Sequence, residues 1–513
     1  MAGTHDRSSA RQMLIGALLL CAAVRFYLLW QYYCISSDGV HYIEAAQAFY
    51  AGRWWAGLGS YYSPGYPILL ALVYPLTANW ELSGQLFSIL CGVVLLWPLY
   101  LLVQEVFDDE RIALVAVYLA ALSPFLARYS AHVRSESPYF LLVVVALLLF
   151  QRGYRSRRAL GFFLGGLVAG FAYLVRPEAI GLLVVMPLFL AIRVFLSREI
   201  DLRWATGSSL AMIGGFVVFA LPYIVYLSIE TGQWGALSRK AGVTLAVSLS
   251  ESGLLEGGER EAQSPEEASD FLGFVKNHPL LFAKKVLWDF FPAIGTWFEA
   301  MHFPFVPFML IGLTLLWRNQ FWQRRDLLLL TYVLFFVFGL AIILVRRRYS
   351  VQVVPICLGW SALGLVWLWD WLKANVNESR ARIAVGLTVA TFLAATLPKT
   401  LAPISREKGF VREAGRYLKQ RGGAEAVKVA VFDDRVTFYA GAQALLLSGV
   451  NESMFPDYLK TKKPDYLAAE AKTWQKTYPK IAAAPAQLGL ILEKEFVGVR
   501  NDRMLLFKVA LQG

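Results

Sequence analysis

The sequence lacks the patterns that mark several common protein classes. It has four cysteines in 513 residues, and they form neither a disulfide framework nor a zinc-ligand spacing. It has no Walker-type phosphate loop, no glycine triplet at a strand-to-helix turn, no His-Glu-x-x-His helix and no Gly-x-Ser-x-Gly turn. Nucleotide hydrolysis therefore has no support in this sequence.

A concentrated basic domain is also missing. The formal net charge is +12, but the lysines and arginines are spread along the chain between apolar runs. We therefore expect no nucleic-acid partner. Membrane orientation explains most of the basic residues, because lysine and arginine collect in short loops on the cytoplasmic side of a membrane.

What the sequence does contain is a large apolar fraction. Hydrophobic residues make up 57% of it and the mean hydropathy is +0.50, whereas soluble domains are roughly 45–50% apolar. About 20 apolar residues cross a bilayer, so the pattern predicts a polytopic α-helical membrane protein with about eleven transmembrane helices. The predicted spans are residues 13–30, 82–106, 112–128, 138–151, 159–175, 179–196, 205–228, 303–317, 327–345, 350–371 and 381–397.

The loop charges predict the orientation. Arginine-rich loops follow the even-numbered spans, which indicates a cytoplasmic amino terminus. The first outer loop (residues 31–67) and a large outer loop (229–302) would then lie outside. We divide the chain into a transmembrane domain, 1–400, and a small extracytoplasmic α/β domain, 401–513, which would be periplasmic in a bacterium. Strands are predicted at 427–432, 465–469, 488–492 and 503–510, and a helix near 410–418.

The first outer loop carries the most interesting carboxylate. Asp38 precedes Gly39 and a predicted helix that holds His41 and Tyr42 in its first turns. An aspartate in this position can cap the helix or act on a substrate. Both interpretations remain open on spacing alone.

Further charged residues fall at predicted outer membrane edges. Glu136 begins a helix after Arg134 and can pair with that arginine or take part in chemistry. Arg176 and Glu178 flank a proline between two apolar runs, where they can neutralise each other.

Arg346, Arg347 and Arg348 precede Tyr349 in a short outer turn, against the positive-inside rule. Three guanidiniums there favour an anionic partner such as a lipid phosphate. Salt bridges to the preceding acidic loop, or an error in the predicted topology, are the alternatives.

Six sequence segments then suggest a family. In order they are SSDGVHY (36–42), YYSPGYPILLAL (61–72), RSESPYFLL (134–142), YLVRPEAIGLL (173–183), RRRYSVQVVPICLGW (346–360) and DDRVTFYAG (433–441). With them the chain resembles the GT-C membrane glycosyltransferases, in the branch of dolichyl-phosphate-mannose–protein mannosyltransferases and lipid A aminoarabinose transferases.

The resemblance implies transfer of a hexose or pentose from a polyprenyl-phosphate donor to a lipid, glycan or protein acceptor on the non-cytoplasmic face. It assigns catalytic roles to Asp38 and Glu136, and carrier-phosphate contact to one of Arg346, Arg347 and Arg348. Inversion with Asp38 as the general base is the mechanism that we expect. Further candidate substrate contacts are His41, Tyr42, Tyr62, Arg176, Glu178 and Tyr349.

A divalent metal ion is a candidate cofactor, with His41 and His278 as its candidate ligands. The chain also departs from the family pattern. Gly39 follows Asp38 where protein mannosyltransferases often have a second acid, and Tyr62-Ser63 stands where the aminoarabinose enzymes have an acidic-basic pair.

Three other functions compete with this one. A lipid or glycan transporter or flippase would need charges near the bilayer midplane and broken helices. A lipid-linked oligosaccharide polymerase or ligase is the nearest enzymatic alternative. A non-catalytic assembly protein would depend on the carboxyl-terminal domain alone.

Overall fold

A computed structural model describes residues 2–232, 234, 237–239, 275–316, 324–421 and 427–510. The chain divides into two compact units. The membrane unit consists of residues 1–27 and 45–401, and the sheet unit consists of residues 28–44 and 402–513. Residues 240–274, within the predicted large outer loop, lie outside the described residues.

Long apolar helices dominate the described part of the membrane unit. Within the described ranges, seven helices are long and apolar enough to cross a bilayer, or up to nine if each of two bent pairs is one span. The chain is therefore a multi-pass membrane protein. Its helices are α1 Ala2–Trp30, α2 Ser37–Tyr50, α3 Trp54–Leu58, α4 Gly65–Val73, α5 Trp80–Val94, α6 Leu96–Phe107, α7 Glu110–Leu122, α8 Pro124–Ser130, α9 Glu136–Ser156, α10 Ala159–Val175, α11 Leu182–Phe195, α12 Leu202–Thr231, α13 Pro279–Met301, α14 Val306–Leu315, α15 Leu327–Ile342, α16 Arg347–Ser350, α17 Val354–Asn375 and α18 Glu378–Thr400.

Each of the eleven predicted spans corresponds to a helix or a helix pair. Two of them, Ala159–Val175 and Leu327–Ile342, are shorter apolar helices. The span predicted at 303–317 is the second part of a pair that begins at Pro279 and bends by 90°. His302 at φ 66° ends the first helix of that pair, and Pro304 in the next turn has no N–H to continue it.

Glycines bring the backbones of neighbouring membrane helices into contact. A Cβ atom on Gly166 would lie 2.0 Å from the carbonyl oxygen of Met212, and one on Gly215 would lie 2.1 Å from that of Phe163. Both contacts join α10 to α12. Small residues at helix interfaces permit such close approach inside membranes.

The sheet unit contains a five-stranded mixed sheet with the strand order β2-β1-β3-β5-β4. β1 pairs in parallel with β2 and β3, and β5 pairs antiparallel with β3 and β4. The elements are α19 Gly409–Arg421, β1 Lys428–Val431, α20 Arg435–Ala440, β2 Gln443–Leu446, α21 Phe455–Lys462, β3 Tyr466–Glu470, α22 Ala471–Thr477, α23 Pro479–Ala483, β4 Leu490–Val497 and β5 Arg503–Val509.

Helices cover both faces of this sheet. Val429 and Val431 of β1 join one hydrophobic core with Phe410 of α19, while Ala430 joins a second core with Trp474 of α22. This alternation follows from the two-residue period of a strand. A small α/β fold with helical layers results, as the sequence predicts.

Residues 28–44 pack as an integral part of the sheet unit. Tyr32 bridges in parallel to Ile404, and the Ile35 N–H donates to the Tyr439 hydroxyl at 2.7 Å. Cys34 is fully buried in the same core as Phe410. The start of the predicted first outer loop is thus held by residues almost 400 positions later in the chain.

Candidate functional site

Glu136 is the centre of a buried ionic network in the membrane unit. Its side chain is 1% exposed at the start of α9, where the positive helix end favours a carboxylate. Oε1 of Glu136 lies 3.2 Å from the Arg176 guanidinium and also accepts a hydrogen bond from Nε of Arg348. Arg176 in turn donates to Glu178 at 2.7 Å.

Aromatic rings enclose the Arg176 guanidinium. Its Cζ atom lies 5.7 Å from the ring centroids of both Tyr139 and Tyr349. The Tyr139 hydroxyl donates to Gln352 Oε1 at 2.8 Å. The structure therefore brings together five of the predicted site residues, which are Glu136, Arg176, Glu178, Arg348 and Tyr349.

Arg346 and Arg347 differ from Arg348 in their exposure. Both are exposed, whereas Arg348 is half-buried beside Glu136. The Arg347 Cζ and the Lys399 Nζ each lie 4.8 Å from the ring centroid of Phe125. Arg347 and Lys399 are both exposed, so this pair of cations beside Phe125 is accessible to a ligand.

Asp38 lies in the first turn of α2, in the sheet unit. Ser36 makes a capping contact at this helix end, because its Oγ accepts a hydrogen bond from the Gly39 N–H at 3.2 Å. Asp38 is half-buried. Its negative charge acts on His41, one turn further along the helix.

His41 lies between two carboxylates. Its Nδ1 is 3.2 Å from Glu44 and its Nε2 is 3.2 Å from Asp434. The hydrogen bond to Glu44 raises the pKa of His41, with Asp434 and Asp38 adding to the rise against the effect of burial. Burial raises the pKa of Asp434, against the opposing effect of His41. Ser37 also donates to Asp434 at 3.4 Å.

A cavity of about 430 Å³ opens beside this pair in the sheet unit. It lies where the three parallel strands end, because β1, β2 and β3 each contribute residues at or just beyond their carboxyl ends. Open α/β sheets bind ligands at this edge. The lining residues are Ser37, His41, Phe432, Asp433, Asp434, Leu446, Ser448, Ala468, Glu470, Thr473 and Met504.

Asp434 and Glu470 are not among the site residues predicted from the sequence, although Asp434 lies in the family-like segment 433–441. A signal was nevertheless present, because Asp433 and Asp434 directly follow the predicted strand 427–432. Side chains at that position point toward the ligand edge of a parallel sheet.

The remaining predicted residues are Tyr42, Tyr62 and His278. Tyr42 is 4% exposed in the sheet unit, and Tyr62 is 8% exposed in the membrane unit, where its ring meets that of Tyr61 at 5.6 Å. His278 is exposed at the start of α13.

A metal site does not form among the described residues. They contain no group of three or more His, Cys, Asp or Glu side chains that could hold an ion. Both ring nitrogens of His41 contact carboxylates instead. The divalent metal predicted from the sequence therefore has no set of three such ligands among the described residues.

Known proteins share the fold of the chain. Residues 62–243 match the sequence model of the dolichyl-phosphate-mannose–protein mannosyltransferase family. No curated protein matches the chain significantly. The structure of ArnT from Cupriavidus metallidurans bound to undecaprenyl phosphate matches this chain with a TM-score of 0.55 and 13% sequence identity. The match covers 97% of this chain and 98% of the ArnT chain. The chain has the GT-C glycosyltransferase fold.

Two archaeal structures also resemble this chain in fold. The oligosaccharyltransferase AglB from Archaeoglobus fulgidus, in complex with an inhibitory peptide and a dolichol-phosphate, has a TM-score of 0.58 at 12% identity. The match covers 99% of this chain and 75% of the AglB chain. The structure of the Archaeoglobus fulgidus oligosaccharyltransferase in complex with Zn and sulfate has a TM-score of 0.59 at 14% identity. That match covers 90% of this chain and 68% of the oligosaccharyltransferase chain.

Proposed function

We propose that the chain is an inverting glycosyltransferase. It moves a sugar from a polyprenyl-phosphate carrier to a lipid, glycan or protein acceptor on the non-cytoplasmic face of a membrane. The observation that carries this proposal is the likeness over 97% of the chain to ArnT, which was solved with undecaprenyl phosphate. The mannosyltransferase family match over residues 62–243 supports the same chemistry.

Asp38 is the proposed general base. Its carboxylate accepts the proton of an acceptor hydroxyl while that oxygen attacks the anomeric carbon. A new glycosidic bond forms, the bond from the anomeric carbon to the phosphate oxygen breaks, and the polyprenyl phosphate leaves with the bonding electrons. General-base assistance of this kind contributes typically about 10²–10⁴-fold in rate.

Arginine side chains would hold the leaving phosphate. Arg347 is exposed, and it shares the Phe125 ring with Lys399, so these two cations can face a ligand. Fixed positive charge in a poorly hydrated site stabilises the negative charge that develops on a leaving group. Arg348 is half-buried and its guanidinium contacts Glu136. We assign it a role in the structure of the site and not in direct phosphate contact.

Glu136 then acts through its arginine partners. A carboxylate that is 1% exposed and contacts two guanidiniums is poorly placed to take a proton from a substrate. We assign it a positioning role, in which it orients Arg348 and Arg176. The sequence-based prediction of direct catalysis by Glu136 stays a prediction.

Transfer in proteoliposomes tests this proposal. The full chain is reconstituted with a polyprenyl-phosphate sugar that carries a labelled sugar and a separately labelled lipid, together with a cell-envelope extract as the acceptor. We expect the sugar label to leave the carrier and to enter the extract. If the intact, doubly labelled carrier crosses the bilayer without release of sugar, the chain is a flippase and the proposal fails.

A deletion strain gives an independent check. Mass spectrometry of its surface glycolipids, glycans and proteins should show the loss of one glycosyl modification. A lipid-linked oligosaccharide polymerase or ligase would instead change chain length or the attachment of a whole oligosaccharide.

A further inference from the structure

The cavity of the sheet unit has the position of a ligand site. β1 pairs with β2 on one side and with β3 on the other. The chain therefore leaves β1 toward one side of the sheet and, after β2, crosses to β3 on the other side. Such a reversal of strand order is called a topological switch point, and it leaves a crevice at the carboxyl ends of the strands. Asp433 and Asp434 follow β1, Ser448 follows β2, and Glu470 ends β3.

Each carboxylate in the cavity wall has a basic neighbour in the same unit. Arg435 donates to Asp433 at 2.7 Å, Lys408 bridges to Glu470, and His41 contacts Asp434 at 3.2 Å. His41 also contacts Glu44 at 3.2 Å, on the side away from Asp434. Because each wall carboxylate already has a basic partner, the wall can accept hydrogen bonds from a ligand that carries no positive charge.

The other lining groups complete the pattern. Ser37, Ser448 and Thr473 supply hydroxyls that can donate or accept. Phe432 and Met504 add apolar surface. A cavity of about 430 Å³ falls within the range of roughly 300–1,000 Å³ that is usual for small-molecule sites.

We propose that this crevice binds a neutral sugar ring. A sugar presents several hydroxyls to carboxylates and hydroxyls, and an apolar face to an aromatic ring, and it needs no counter-charge. The inference rests on the proposed transferase function, because the ring would belong to the acceptor glycan or to the donor.

His41 connects the crevice to the helix of Asp38. Ser37 and His41 both line the cavity and both contact Asp434, and Asp38 lies between them in the first turn of α2. A sugar that hydrogen-bonds to Asp434 would therefore sit beside the turn that carries the proposed general base.

Saturation-transfer NMR on the full chain in nanodiscs tests the site. The probes are methyl α-mannopyranoside and methyl β-glucopyranoside, with putrescine and a serine-containing peptide as competing classes. We expect saturation of glycoside protons in the wild type and in Asp457→Asn, an exposed acid of α21 outside the cavity. Ser448→Trp, at an exposed lining position, should abolish the signal.

Asp434→Asn gives a second readout. Loss of a hydrogen bond to a charged group should weaken glycoside affinity by about tenfold or more. Glycoside signals that survive Ser448→Trp would place the sugar elsewhere and overturn the inference. Binding of putrescine or the peptide in place of the glycosides would overturn the proposed ligand class.

Binding of undecaprenyl phosphate separates this inference from the proposed function. A wild-type chain that binds undecaprenyl phosphate but saturates no glycoside contradicts the crevice proposal alone, whereas failure to bind the carrier contradicts the transferase itself. Donor hydrolysis by water identifies the source of the sugar. If Ser448→Trp abolishes hydrolysis, the donor sugar occupies the crevice, and if hydrolysis continues, an acceptor sugar does.

Discussion

The two units handle polar groups in opposite ways. In the membrane unit, helix backbones contact each other at glycines. The buried Glu136 carboxylate there forms ion pairs with Arg176 and Arg348. In the sheet unit, Asp434 and His41 border a cavity of about 430 Å³, and the imidazole is 39% exposed.

This difference separates residues that shape a site from residues that can meet a ligand. Burying a charge in hydrocarbon is costly unless it is paired, so the Glu136 network is under strong structural constraint. At the cavity, His41 and Ser448 are exposed enough to meet a ligand. Substitution of Glu136 should therefore act mainly on stability, and substitution of exposed residues that face a ligand mainly on binding.

The largest effect on stability is expected for Glu136→Ala. It removes the carboxylate that Arg176 and Arg348 share, while Arg176 keeps its pair with Glu178. Breaking a buried pair costs about 3–5 kcal/mol, and the remaining pair puts this variant at the lower end of that range. Thermal unfolding in detergent should show a large drop in melting temperature. Glu378→Ala removes an exposed pair with Arg382 and should cost no more than about 0.5 kcal/mol. Similar drops for both variants would contradict the contrast.

The next effect tests the close helix contact. Gly215→Ala places a Cβ atom 2.1 Å from the Phe163 carbonyl oxygen, so α10 and α12 must separate. We expect a loss of about 1–3 kcal/mol, the usual result of overpacking. The adjacent Gly214→Ala is the matched control, because its Cβ meets nothing within 4 Å. A stable Gly215→Ala protein would show that the helices are not in backbone contact.

A smaller effect is expected for Arg347→Gln. The exposed guanidinium near Lys399 and Phe125 should contribute one charged hydrogen bond to a carrier phosphate. Its loss should weaken undecaprenyl phosphate binding by about tenfold without changing the melting temperature. Native mass spectrometry can measure this, with the exposed Arg382→Gln as the control. Unchanged affinity would move the phosphate site away from Arg347.

The smallest effect concerns pH. The pKa of His41 is raised in the folded chain, chiefly by Glu44, so its stabilising contribution is complete below the ordinary value of about 6.5 and disappears as pH rises through the raised pKa. With 39% exposure, the contribution should be under about 1 kcal/mol. The melting temperatures of wild type and His41→Asn should differ most near pH 6, and the difference should shrink as the pH rises through the raised pKa. A constant difference would contradict the ion pair.

Sequence patterns predicted the membrane helices well because their signal is local. The predicted span 159–175 matches Ala159–Val175 at both ends, since Arg158 and Arg176 bound an uninterrupted apolar run. The sheet was harder to predict. β2, Gln443–Leu446, was missed because it is a short edge strand whose residues are largely exposed. β4 continues to Val497 through Glu493, Lys494 and Glu495, which an edge strand tolerates.

The candidate sites depend on distant pairings that local patterns do not contain. Glu136 meets Arg348 across 212 positions, and Ser37 meets Asp434 across 397. The sequence identified Asp38, Glu136 and the arginines as unusual by their place at predicted membrane edges. It gave no means of predicting that residues 28–44 pack with the carboxyl-terminal residues, because that arrangement arises only from tertiary packing.

Sugar transfer by Asp38→Asn tests the central proposal most directly. Labelled polyprenyl-phosphate sugar is supplied to membranes that contain equal amounts of wild-type, Asp38→Asn or Asp457→Asn protein. We predict that Asp38→Asn lowers the rate of transfer by about 10²–10⁴-fold, with carrier binding intact and Asp457→Asn unaffected. Undiminished transfer by a normally expressed Asp38→Asn protein would show that Asp38 is not the general base.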